Sequence, residues 1–213
     1  LRPGAGESPG TNDTEGGALR IEIPNCTLLR QIGEGAYGEV WLVRNAVGLY
    51  FAVKIVRRDK FKDETPYERE FHGIERYMPV STSHSGLLQI LHVCRDDAQG
   101  YFFYIMELAD GDLIGQPIDP ARYTPRSLAS ELRKRGALPP EECVSLMLHL
   151  TTALEHLHRQ SRIHRDIKPA NIIYVRGTPK FADIGLVTDI APSGAAATYI
   201  GTEGYIAPEG PGT

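Results

Sequence analysis

The chain has 213 residues, 41% of them apolar and 23% charged, with a formal net charge of −4. That is the composition of an ordinary soluble globular chain of one large or two small domains, and it excludes nucleic-acid binding driven by bulk positive charge. Its three cysteines, Cys26, Cys94 and Cys143, lie far apart without C-x-x-C spacing, which argues against a disulfide framework or zinc site and sets the expectation of a reducing, cytoplasmic location. No apolar run reaches the ~18 residues of a membrane span, and no stretch reads as a signal peptide.

Residues 1–20 are rich in Gly, Pro, Ser, Thr and acids, too polar to offset their ordering entropy, and read as a disordered leader or linker. Order begins at Thr27. The segment Gly33-Glu34-Gly35-Ala36-Tyr37-Gly38-Glu39-Val40 follows, running into the strand-like Val40-Trp41-Leu42-Val43. A lone G-x-G-x-x-G is a weak signal, and a dinucleotide site would need a helix start here instead of a strand. The reading is a hairpin whose backbone N–H groups can approach phosphates because no Cβ intervenes; a plain Gly-rich turn is the alternative.

Phe51-Ala52-Val53-Lys54-Ile55-Val56 reads as a strand. Alternation puts Ala52 and Lys54 on one face and Phe51, Val53 and Ile55 on the other. A lysine in such a strand is costly unless paired with a carboxylate. The next helix offers Glu68, Glu70 and Glu75. Thr65 fits an N-cap, Pro66 the first helical position and Glu68 the end of a T-x-x-E capping box. Tyr67, Phe71, Ile74 and Met78 form an apolar stripe at spacings 4, 3 and 4, and Pro79 stops the helix. Glu70 is the favoured partner of Lys54, with Glu75 next.

Two strands are expected at Leu87–Val93 and Tyr101–Met106, joined by a turn at Asp96–Gly100. A proline-broken stretch turns helical near Ser127. Pro139-Pro140-Glu141-Glu142 opens a longer helix whose expected buried face is Cys143, Met147, Leu150, Leu154 and Leu157. His149, His156 and His158 lack a ligand spacing and read as structural or solvated. That helix delivers the chain to His164-Arg165-Asp166-Ile167-Lys168-Pro169-Ala170-Asn171, which packs a carboxylate, a lysine and an amide into eight residues. Such a set suits a hydroxyl, a phosphoryl group and a metal ion handled together. The strand pair Ile172–Tyr174 and Lys180–Ala182 leads to Asp183-Ile184-Gly185, and Gly201-Thr202-Glu203-Gly204-Tyr205-Ile206-Ala207-Pro208-Glu209 follows.

In this order, G-x-G-x-x-G-x-V, A-V-K, H-R-D-x-K-x-x-N, D-x-G and the A-P-E segment resemble the eukaryotic-type protein kinase family, on its serine/threonine branch, from about Thr27 to Glu209. The resemblance implies an α+β bilobal fold, with a β-rich N-lobe (21–109) holding one main helix and a mostly α, incomplete C-lobe (110–213). It implies ATP and Mg²⁺ as cofactors and a protein substrate with a Ser or Thr acceptor. Lys168 supports the serine/threonine branch. Ile32, Gly33, Glu34, Gly35, Gly38, Val40 and Ala52 would enclose the nucleotide. Lys54, held by Glu70, would reach the α- and β-phosphates. Met106 would be the gatekeeper, the backbone from Glu107 to Ala109 would bond the adenine, and Ile172-Ile173 would form its floor. Asp166 would orient the hydroxyl and accept its proton, Lys168 would offset charge at the γ-phosphate, and Asn171 and Asp183 would hold metal. Thr202 matches the threonine that bonds Asp166 and Lys168.

The resemblance also implies phosphorylation in the segment from Asp183 to Glu209, by an activating kinase or by self-phosphorylation. Thr188, Ser193, Thr198 and Tyr199 are candidates, Thr198 foremost, with Arg165 as receiver. Ile184 departs from the usual Phe of the D-x-G motif but can fill an apolar slot. The chain stops four residues past Glu209, so exactly these residues are expected to be marginally stable and nearly inactive. A pseudokinase or nucleotide-binding scaffold is the alternative reading, although such modules usually lose the counterparts of Lys54, Asp166 or Asp183. A small-molecule phosphotransferase is a third, although it would lack the closing A-P-E segment.

Overall fold

The computed structural model describes residues 21–35, 38–184, 188–189, 202 and 204–206. The expected leader, Ser193, Thr198, Tyr199, Gly185 and Glu209 lie outside them. Five antiparallel strands, β1 (Cys26–Gly35), β2 (Gly38–Asn45), β3 (Tyr50–Arg57), β4 (Ile90–Asp96) and β5 (Tyr101–Met106), form a sheet in the order β1-β2-β3-β5-β4. Helix α1 (Glu64–Tyr77) lies between β3 and β4 in the chain. Helices α2 (Leu128–Arg135) and α3 (Pro140–Arg159) follow, then β6 (Arg162–Ile163), the hairpin β7 (Ile172–Val175) and β8 (Thr178–Phe181), and β9 (Thr188–Asp189) against β6. The chain thus has the α+β, protein-kinase-like architecture: a β-rich N-lobe with one main helix, followed by mostly helical structure. No helix among the described residues is long and apolar enough to cross a membrane.

Alternation along β3 sorts its side chains onto two faces. Val53 and Ile55 bury against Ile23, Val43, Tyr101 and Phe103 on the outer face. On the inner side, Val56, Phe102 and Tyr104 join Tyr67, Ile74 and Tyr77 of α1, and the same cluster continues through Leu87 to Leu150 and Leu157 of α3, Phe181 and Ile184. One continuous apolar core therefore runs from the sheet to α3 and the β7–β8 hairpin. Ile184 is 1% exposed within it, so it fills an apolar packing slot.

Four local expectations need correction. The N-cap of α1 is Asp63, whose carboxylate accepts the Thr65 N–H at 2.8 Å. Pro66 therefore sits in the third helical position, where its missing N–H still costs nothing. Glu68, freed from capping, takes Arg95 in a two-pronged pair at 2.7 and 2.6 Å. The buried face of α1 is Tyr67, Glu70, Ile74 and Tyr77, rotated from the apolar stripe so that an acid points inward.

The strand expected from Leu87 starts at Ile90. Leu87 and Leu88 are buried but pair with Phe181: the Leu88 N–H donates to the Phe181 carbonyl at 3.3 Å, and the Phe181 N–H to Gly86 at 2.9 Å. An apolar run marks burial and cannot say which partner supplies it. In α3 the buried residues are Leu146, Leu150, Ala153 and Leu157, while Met147 is 57% exposed. Gly86 packs on α3: a Cβ there would lie 2.7 Å from the Ala153 Cβ, so only glycine fits at 86.

The glycines differ in purpose. A Cβ on Gly38 would lie 2.4 Å from the Ile55 carbonyl oxygen. Gly38 is thus required for β2 to pack on β3, and it does not line the cavity described next.

Candidate active site

Residues from β1, β2, β3, the β5–α2 segment and the β7–β8 region converge on a cavity of about 190 Å³. Ile32, Gly33, Glu34, Gly35, Val40, Ala52, Lys54, Met106, Glu107, Ala109, Asn171, Ile173 and Asp183 all line it. Ile172 does not: it is buried in the core on the opposite face of β7, so only Ile173 can floor the cavity. Strand alternation, which turns neighbouring residues apart, decides this. A larger groove of about 730 Å³ lies behind the Glu107–Gly111 segment. It includes none of Lys54, Asn171 and Asp183, which all line the smaller cavity.

Lys54 is 4% exposed, yet it sits 2.9 Å from Glu70 Oε1 and 3.2 Å from Asp183 Oδ1. Burial by itself would lower its pKa. Tyr104, Glu70 and Asp183 more than offset that and hold the ammonium well above its ordinary value. Glu75 instead meets His72 on the exposed side of α1 at 2.9 Å. A helix places residues five apart on different sides, so only one of the two acids can face β3.

The loop before β7 is built around Asp166, 5% exposed. The Thr202 hydroxyl donates to its Oδ1 at 2.7 Å and accepts from Lys168 Nζ at 2.6 Å. Lys168 Nζ also lies 2.8 Å from Asp166 Oδ2, which accepts the Asn171 amide at 2.7 Å. Burial would raise the Asp166 pKa, but Lys168, Thr202 and Asn171 hold it below the usual value. Asp166 is therefore ionised and pinned from three sides. Arg165 and Asp183 adopt left-handed φ values of 69° and 55°, strained turns of the kind that concentrate at functional sites.

Sequence reasoning left His164 without a role. It is 1% exposed, with Nε2 3.0 Å from the Ala182 carbonyl and Nδ1 accepting the Asp166 N–H at 3.4 Å. A carbonyl only accepts and an N–H only donates, so the ring is the neutral Nε2–H form. It ties the Asp166 loop to the strand leading into Asp183. Burial, the largest influence, holds its pKa below the ordinary value. The unfolded chain therefore takes up a proton near pH 6.5 that the folded chain refuses. Stability is fully present above that pH and is expected to fall as pH drops below it, by up to about 1.4 kcal/mol per pH unit. Urea unfolding between about pH 7 and pH 5 measures the slope, and His164→Asn should flatten it.

Six further residues on the cavity were not foreseen: Leu88, Tyr104, Tyr123, Pro125, Ala182 and Ile184. Tyr104 stands two places before Met106 on the same face of β5, so alternation could have found it. Tyr123 and Pro125 come from an irregular segment that carries no periodic signal, and Leu88 was expected in a strand that in fact starts at Ile90. Around the cavity, Gln89 accepts the Glu107 N–H at 3.2 Å, and Glu107 Oε2 takes Gln89 N–H at 3.0 Å and Lys180 Nζ at 2.6 Å. Asp110 accepts the backbone N–H groups of Arg176 and Gly177 at 2.7 Å each, locking this segment to the β7–β8 turn.

A buried cation backed by two carboxylates, under a glycine strand and beside an ionised aspartate, is the arrangement of a phosphoryl-transfer site. Residues 26–210 match the family model of the protein kinase domain, and the chain belongs to that family. It is 28% identical over 204 residues to serine/threonine-protein kinase cds1 of Schizosaccharomyces pombe, covering 93% of this chain and 41% of that protein. It is 30% identical over 192 residues to the cAMP-dependent protein kinase catalytic subunit of the same yeast, covering 89% and 34%. With Aurora kinase B of Danio rerio it shares 28% over 206 residues, covering 94% and 58%. The chain thus spans between about a third and three fifths of these relatives' lengths.

Proposed function

We propose that this chain is the catalytic core of a kinase that transfers the γ-phosphoryl group of ATP to Ser or Thr hydroxyls of proteins, with Mg²⁺. One observation carries the reading: Asp166, Lys168, Thr202 and Asn171 form a closed hydrogen-bonded set, next to the buried Lys54 ion pairs.

The residues present suit a nucleotide. A Cβ on Gly35 would stand 3.7 Å from Lys54 Nζ, in the space phosphates would take beside that cation. Asp183 and Asn171 would hold Mg²⁺. Mg²⁺ is commonly held by one or two carboxylates plus substrate phosphates. When bound, the ion neutralises charge on the phosphates. Lys54 would grip the α- and β-phosphates. No hydrogen bond among the described residues takes up the Glu107 carbonyl or the Ala109 N–H, and these would pair with adenine, with Ala52, Val40 and Ile173 around the ring.

Asp166 would orient the acceptor hydroxyl and take its proton. Lys168 would balance charge near the γ-phosphate, and Thr202 would keep both in register. Positioning and charge placement carry this reaction, so fixed polar groups suffice. The relatives' names favour Ser and Thr as acceptors. The test is labelled phosphate transfer from ATP, by the full protein that contains this chain, to peptide pools containing only Ser, only Thr or only Tyr as acceptor. Ser and Thr peptides are expected to be labelled, and labelling confined to Tyr peptides or to sugars would refute the reading.

A further inference from the structure

Arg30 stands on β1, the strand that carries Ile32 and Gly33 over the cavity. Its side chain reaches across to the segment between β5 and α2. Nε donates to the Pro120 carbonyl at 3.1 Å, and Nη2 donates to the Tyr123 carbonyl. Among the described residues it makes no ion pair, so its charge is spent on two backbone carbonyls of another element.

That element is self-sufficient. Gly111 bridges to Pro125, the Asp112 N–H donates to Thr124 at 2.9 Å, and the Arg126 N–H donates to Asp110 at 2.8 Å. Within the loop, the Asp119 carbonyl accepts the N–H groups of Arg122 and Tyr123 at 3.0 and 2.8 Å. The loop therefore does not need Arg30 to hold its shape. What Arg30 adds is a link between the two sides of the cavity. Tyr123 is 4% exposed, lines that cavity with Pro125, and donates its hydroxyl to the Ala109 carbonyl at 2.9 Å.

We infer that Arg30 is a positioning residue for the nucleotide: its bonds to Pro120 and Tyr123 clasp the glycine strand to the loop wall, and a bound purine nucleotide escapes only when they break. The inference rests on the kinase reading above. A guanidinium can donate from two nitrogens to two carbonyls at once, which an ammonium on a lysine stem cannot reproduce.

The test follows stopped-flow release of a fluorescent ATP analogue with Mg²⁺ from the full protein, together with KM for ATP and kcat, for the unsubstituted protein, Arg30→Ala and Arg30→Lys. Arg30→Ala is expected to release nucleotide about tenfold faster and to raise KM by about the same factor, with kcat within about twofold, and Arg30→Lys is expected to fall between. A merely structural role would lower the active fraction, and so kcat, and leave release and KM unchanged; that outcome overturns the proposal. If Arg30→Ala does not fold, Arg30→Lys, which keeps charge and stem, decides alone. Equal release from proteins that all bind nucleotide refutes the clasp only. Absence of nucleotide binding by the unsubstituted protein refutes the kinase reading and the clasp with it.

Discussion

Alanine at Asp166 is expected to lower phosphoryl transfer by about 10²–10⁴-fold, the range for losing a positioned acid–base group. Asp166 is 5% exposed and takes bonds from Thr202 and Asn171 with Lys168 at 2.8 Å. Its pKa lies below the usual range, so it is a weak base in the ground state. On the proposed kinase reading its main contribution would be orientation, with the proton moving late. Two consequences separate this from simple damage. Asp166→Asn keeps the shape and loses the charge, so it should be as inactive as alanine but closer to the parent in thermal unfolding. The acid limb of the pH–rate profile should not be set by Asp166 above the carboxylate range. Single-turnover transfer measured beside thermal unfolding tests both. An Asp166→Asn variant with more than about a tenth of parental transfer would remove Asp166 from the role.

The second large effect falls on stability. Lys54→Met leaves Glu70, 3% exposed, without its cation. An uncompensated buried charge costs about 3–5 kcal/mol. Glu70→Leu is milder, because Lys54 retains Asp183 at 3.2 Å. The double variant Lys54→Met/Glu70→Leu removes both buried charges and should recover to within about 1–2 kcal/mol of the parent. None of the three should transfer phosphate at a useful rate. Denaturant unfolding of the four proteins gives the coupling energy directly. Additive losses would mean that the pair is not the unit the geometry indicates.

The Glu70 result shows where sequence reading stops. Its place four residues before Ile74 made it the favoured partner of Lys54, but Glu75 stayed open, and only the packing of α1 on the sheet turns Glu70 inward and leaves Glu75 with His72. The same limit appears at Gly38. The glycine pattern pointed to phosphate, whereas close approach to the Ile55 carbonyl is what demands a glycine there. At Ile172-Ile173, an apolar pair read as one floor, and alternation splits it between core and cavity.

What the chain's own residues determined was local and covalent. The ordered motifs, the bounds of β5, the turn to helix near Ser127 and the start of α3 at Pro140 all follow from neighbours within a few positions, where propensity and alternation act. Tertiary structure alone decided the partner of Leu87-Leu88, the rotation of α1 and α3, the neutral His164 link, and the meeting of Arg30 with Pro120 and Tyr123 across 90 and 93 residues. Those contacts join segments far apart in sequence, and the free energy that selects among them is burial and hydrogen-bond satisfaction over the whole core, which no local window contains.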